Sequence, residues 1–299
     1  MRRTWIILSL IACGPPAYDG VLAPIPPTDT EPALLDAAPP PNGGWLQASD
    51  LPPARNMNVQ VRNFPINAGG FLLRGAPGGQ SCPPALGGGC VDLGNATVID
   101  RFTTDPWGIA HLNVPVPRAI APQPFSFQAF AAVPGAAVLS NIETRAVVPP
   151  GGEWAMGNVR DLGLSGAVQP GYLLGHAIRV SDNVEVEAFT VRSVGAGQRA
   201  RLALYEDAGG RPGALVTHTG IFTVVPGLDR EPAVNRRRIR PGTYWVMAIY
   251  DQQANIHYTT TTGATVAYTL HGIGLPLPDP FPLPATYTGQ ELNYAILVE

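Results

Sequence analysis

Apolar positions along the chain recur with a period of two, in short runs separated by glycine, proline, asparagine and aspartate. Successive side chains of a strand point to opposite faces, so this pattern predicts β-structure; no stretch sustains the spacing of an amphipathic helix. Between residues 55 and 150 the pattern predicts strands over 57–62, 70–74, 97–102, 109–114, 125–130 and 142–148, with Asp105-Pro106-Trp107-Gly108 as a hairpin turn. Beyond residue 160 the runs lengthen, predicting strands over 172–180, 184–187, 199–205, 215–219, 221–225, 243–250, 264–268 and 294–298. Ala200, Leu202 and Leu204 form one face of their run, and Val184 and Val186 alternate with Glu185 and Glu187. One face of such strands is core and the other is wet.

The aromatic residues divide the pattern in two. Six of the nine phenylalanines lie between 55 and 150, where there is no tyrosine, and eight of the nine tyrosines lie beyond residue 171. Pro149-Pro150-Gly151-Gly152 separates them. The expected fold is all-β: a small β-sandwich over 55–150 with a projecting loop at 82–90, a linker over 151–160, and a jelly-roll-like β-sandwich over 161–299. Upstream, 14–54 holds eleven prolines, five acidic residues and no basic one. Such a segment buries too little apolar surface to offset its ordering entropy, so 13–54 reads as a disordered proline-rich linker. Trp45 and Leu46, near its end, are expected to dock on the first sandwich.

Charge excludes some partners. Only 14% of residues are charged, the net charge is -3, and all 19 basic residues are arginine. That balance gives no electrostatic case for nucleic acid. Two of the three cysteines, Cys82 and Cys90, bracket a turn-forming Pro/Gly loop and are expected to form a disulfide. No histidine stands near them to complete a zinc site, and no cofactor motif is present.

The third cysteine changes the picture most. Arg2 and Arg3 precede the apolar run 5–11, and Leu10-Ile11-Ala12 leads into Cys13. This start, residues 1–12, resembles a bacterial lipoprotein signal peptide. The resemblance implies that Cys13 becomes the mature N-terminus carrying a diacylglycerol and an amide-linked acyl chain, which together anchor a protein stably to a membrane. An ordinary secretory peptide cut near Ala12 and a twin-arginine signal are the alternatives. Gly14, where the family uses aspartate for inner-membrane retention, points to the outer membrane, on either its periplasmic or its outward side. No later apolar run approaches the ~18 residues of a spanning helix.

A second resemblance lies in the C-terminal half. The stretches 202–216 (LALYEDAGGRPGALV) and 241–251 (PGTYWVMAIYD), with the proline-rich 275–288 and the closing Asn293-Tyr294, resemble a β-sandwich module of exported bacterial proteins. The resemblance implies a non-catalytic unit without a settled ligand, and it supplies no active site.

Candidate chemistry is sparse. Gly163-Leu164-Ser165-Gly166 is too short for a nucleophile elbow, and the five histidines lack metal-binding spacing. Gly195-Ala196-Gly197-Gln198-Arg199-Ala200 fits a dinucleotide pattern but opens a strand, so it reads as a turn. Glu206-Asp207 offers too few oxygens for calcium. Arg230, Arg236, Arg237, Arg238 and Arg240 form a basic cluster that reads as a solvated edge, with an anionic lipid headgroup as the competing partner. In 243–250, Trp245, Met247 and Ile249 share one face, and Tyr244, Val246, Ala248 and Tyr250 the other. If the second set faces outward beside Tyr205, its rings stack on sugars, with Arg199 and Arg201 as hydrogen-bonding neighbours. The simpler alternative buries both faces. The expected function is therefore a lipid-anchored, non-enzymatic envelope protein that recognises a glycan or a protein partner. A structural envelope scaffold is the alternative, and a hydrolase of unrecognised type is the third reading.

Overall fold

A computed structural model describes residues 43–299 except 122, 135, 150, 151 and 160. Cys13, the signal segment and the spacer up to residue 42 lie outside the described residues. Among those described, the chain is all-β apart from one 3-10 turn, Pro84–Leu86.

The first sandwich pairs a three-stranded sheet with a five-stranded one. Trp45–Ala48, Asn56–Arg62 and Ala110–Pro115 form the small sheet, in that order. Its odd-numbered Met57, Val59 and Val61 meet Leu72, Phe102, Phe127 and Ala129 of the larger sheet. That larger sheet is built on Gly69–Ser81, Val91–Thr103 and Phe125–Val133. Trp45–Ala48 was expected to dock; it does so as a full edge strand, so the folded unit begins before residue 55.

Two features differ from expectation here. The Asp105–Gly108 turn joins Val91–Thr103 of one sheet to Ala110–Pro115 of the other, so it crosses the sandwich and closes no hairpin. The disulfide loop folds back: Cys82 and Cys90 are bonded, with a sequence separation of 8. Leu86 between them is buried with Leu73, Val91, Leu93 and Phe130 on the outer face of the larger sheet. Closing so short a loop stabilises by roughly 2 to 3 kcal/mol on the chain-entropy account. A Cys82→Ser, Cys90→Ser double variant is expected to lose that amount in urea denaturation; an unchanged midpoint contradicts it.

The second sandwich carries a continuous hydrogen-bonded network folded over its core. Arg199–Asp207, Gly242–Tyr250 and Tyr172–Val180 supply one layer, and Val184–Ser193 and Tyr294–Val298 the other. The 17-residue strand Ala254–Leu270 passes between layers, its end from Val266 to Leu270 pairing with Tyr172 to His176 and its start from Ala254 to Tyr258 pairing with Leu164–Val168. Trp154–Gly157, in the segment read as a linker, pairs with Tyr294–Val298 and so belongs to this sandwich. Gly227–Ile239, unmarked by any apolar run, pairs with Val184–Ser193 and carries most of the arginine cluster.

Candidate functional site

The small sheet of the first sandwich has a polar face: Gln47, Asn58, Gln60, Arg62, His111 and Asn113 alternate with its core residues. Period-two alternation makes this face predictable, and exposure to water is the default reading. In the structure it meets the second domain. Pairing of Tyr172–Val180 with Ala254–Leu270 stops at His176–Val266, leaving the edge of the following residues open. Residues 176–179 line a common cavity with Asn58, Gln60, His111 and Asn113, so the polar face covers the open edge.

At the centre of this seam, Arg62 and Glu291 form an ion pair, with side chains 1% and 9% exposed. Burying two charges costs several kcal/mol per ion unless further hydrogen bonds compensate. Here they do. Gln60 Oε1 accepts from Arg62 Nη2 at 2.5 Å, and Gln60 Nε2 donates to Glu291 Oε1 at 3.3 Å. Asn158 Nδ2 donates to Glu291 Oε2 at 3.3 Å and to the Leu292 carbonyl at 2.9 Å. The Trp45 ring lies 4.3 Å from the guanidinium carbon of Arg62, and Gln47 Nε2 donates to the Gly157 carbonyl at 3.1 Å. Further along, Asn56 bonds the Asp182 carboxylate through both its backbone and side-chain N–H groups, at 3.0 and 3.2 Å, and Arg55 donates to the Asn183 carbonyl at 2.8 Å.

Two histidines flank the pair. Burial pushes the His176 pKa down to about 4, with Glu291 opposing and Arg62 adding to the shift. His111, whose side chain stays exposed at the rim, is lowered too, by the desolvation it does undergo and by Arg179. Both are therefore neutral at neutral pH, and the seam holds its charge in the Arg62–Glu291 pair. Nothing in this arrangement places a nucleophile against a base; among the described residues no group of three His, Cys, Asp or Glu converges as metal ligands.

No protein-family model matches the chain, and no curated protein does. Among solved structures, the C-terminal domain of the Streptococcus pyogenes antigen I/II-family protein AspA aligns over 84% of this chain and 98% of its own, at 9% identity and a TM-score of 0.24. A chain named BspA_C_mut aligns over 85% of this chain and 98% of its own, at 6% identity and a TM-score of 0.23.

The residues expected to form a sugar platform lie elsewhere. Tyr244 and Tyr250 are 9% and 1% exposed, and with Val246 and Ala248 they face the main core. Tyr250 donates to the Tyr294 hydroxyl at 3.2 Å, and Tyr244 donates to the Arg240 carbonyl at 3.1 Å. Tyr205 is 0% exposed and sits on the opposite face, beside Trp245 and edge-on to Phe281 at 5.0 Å. That face is covered by Leu277 and Phe281 of the proline-rich segment. The outward tyrosine face is thus corrected: a strand apolar on both faces is buried on both. Arg199 pairs with Asp251 at 2.7 Å, and Arg201 donates to the Leu275 carbonyl at 3.2 Å, tethering the proline-rich cover. In the arginine cluster, Arg230 pairs with Glu153, Arg236 with Glu187 at 2.6 Å and Arg238 with Glu185 at 3.4 Å, so three of its charges are already opposed.

Sequence reasoning passed over two features of the seam. Its polar network alternates as a wet face does, and Trp107, at the mouth, sits in a turn signal.

Proposed function

We propose that the chain is a lipid-anchored protein of the bacterial outer membrane, tethered through Cys13, whose two sandwiches act as one non-catalytic recognition unit for a glycan or a protein of the envelope. The observation that carries the anchoring is the order Arg2-Arg3, apolar 5–11, Leu10-Ile11-Ala12-Cys13. The Cys82–Cys90 bond supports it, because disulfides persist in oxidising compartments outside the cytoplasm. Recognition is supported by the seam: a buried ion pair and its hydrogen bonds fix the two domains, so groups contributed by both keep one geometry at the cleft between them. Preorganisation of that kind lowers the ordering cost of binding.

Expression of the full chain in a diderm bacterium fed labelled palmitate tests the anchor. Wild type is expected to take up label and sediment with outer membranes, whereas Cys13→Ala takes up none and becomes soluble. Label retained in the Cys13→Ala chain contradicts the assignment.

A further inference from the structure

At the mouth of the seam stands Trp107, 56% exposed and the one exposed Phe, Tyr or Trp among the described residues. An indole with an open face offers a large flat apolar surface on which another ring can stack. The turn that carries it is fixed. Asp105 Oδ1 accepts from the backbone N–H of Trp107 at 2.8 Å and of Ile109 at 2.9 Å, and the Thr104 hydroxyl donates to the Pro65 carbonyl at 2.6 Å. Gly108 closes the turn at φ +73, where a Cβ would stand 2.2 Å from the Phe64 carbonyl oxygen. On the facing domain, Gly263 at φ +86 lets the backbone reach the indole; a Cβ there would lie 2.7 Å from Trp107 Cγ. Trp107 is thus held against the second sandwich with part of its surface open.

The cleft around the ring is lined by Asn63 from the first domain and by Thr260, Thr265 and Thr288 from the second. It lies at an irregularity in strand pairing between Thr260 and Thr265, a place where bulges re-aim side chains. The side chains of Asn63, Thr260, Thr265 and Thr288 make no hydrogen bond within the described residues. Hydroxyls and an amide both donate and accept, which suits a ligand that presents many hydroxyls. No ionised group lines this mouth. The neighbouring cavity, which shares Trp107, Gly263 and Thr265 with it, is lined by the Asp105 and Asp207 carboxylates, which disfavour an anion, and by Glu291, whose charge Arg62 opposes.

We propose that this cleft binds a neutral saccharide, with the C–H face of one sugar ring stacked on Trp107 and its hydroxyls bonded to Asn63, Thr260, Thr265 and Thr288. The proposal rests on the recognition reading above and gives it a ligand class and a place.

The detergent-solubilised full chain is titrated with hexasaccharides of glucose, mannose, galactose and N-acetylglucosamine, and with an oligogalacturonate as the acidic comparison. The expected result is binding of at least one neutral oligosaccharide over the acidic one. Trp107→Ala is expected to weaken it by about tenfold or more, and Thr260→Val with Thr288→Val by a smaller factor, with wild-type melting temperatures throughout. Trp107→Phe, which keeps an aromatic face, is expected to retain part of the affinity. Binding that survives Trp107→Ala overturns the site but leaves the recognition reading standing. Failure of every neutral saccharide overturns the ligand class, and Cys13 lipidation then judges the envelope assignment separately.

Discussion

Replacing Arg62 by methionine is expected to lower the unfolding free energy by about 3–5 kcal/mol, the cost of leaving a buried charge without its partner. Arg62 is 1% exposed and pairs with a Glu291 side chain that is 9% exposed, so water cannot replace the lost guanidinium. The neutral donors that remain on Glu291, from Gln60 and Asn158, solvate it only in part. Methionine fills much of the same volume, so the loss reports the charge more than a cavity. The Arg62→Met, Glu291→Leu double variant removes both charges and is expected to regain most of the stability, since well-packed apolar replacements of buried pairs are often neutral. Arg62→Lys is expected to fall between, because an ammonium cannot reproduce the planar contact with Trp45 and the fork toward Gln47, Gln60 and Glu291. Urea denaturation of the four proteins checks this, with the free energy of Arg62→Met taken from its first transition; a cost below about 1 kcal/mol for Arg62→Met contradicts the seam.

Stability is next expected to fall by about 3 kcal/mol as pH drops from 6.5 to 4, through His176 alone. Its pKa is pushed from 6.5 to about 4 in the folded protein, chiefly by burial. Below pH 6.5 the unfolded chain takes up a proton at this residue that the native state refuses, so unfolding gains with acid. Above pH 6.5 both states are neutral there and the contribution is flat; below pH 4 both are protonated and the loss is complete. His111 is lowered in the same direction, but its exposed side chain is screened by solvent and adds little to the slope. Urea midpoints measured between pH 7.5 and 4 are expected to decline steeply in wild type and less steeply in His176→Gln. Equal slopes would remove His176 as the cause.

Much of the fold was legible where apolar periodicity and length agree. Tyr172–Val180 and Tyr294–Val298 match the predicted bounds, because each run ends in polar or turn residues. Gly227–Ile239 was missed because its neighbours in the sheet, and not its own side chains, hold it: most of its residues are exposed, and Arg236 and Arg238 bond acids on the adjacent strand. Trp154–Gly157 was lost in a Pro/Gly context that reads as a linker. The tyrosine face failed for a different reason. In Tyr244–Tyr250 both alternating sets are apolar, so the pattern has no phase to say which side is wet; packing of Leu277 and Phe281 on the Trp245 side decides it. The seam shows the converse limit. Alternation marks Asn58, Gln60 and Arg62 as the face away from the core, but only the tertiary arrangement reveals that a second domain, bearing Glu291 more than two hundred residues away, covers them.

Calorimetric unfolding of the full chain tests the central claim, that the two sandwiches are joined through a buried polar seam into one body. The account predicts a single transition in wild type, with calorimetric and van't Hoff enthalpies in agreement, and two resolved transitions in Arg62→Met. Two independent transitions in the wild-type protein, unmoved by loss of Arg62, would contradict it.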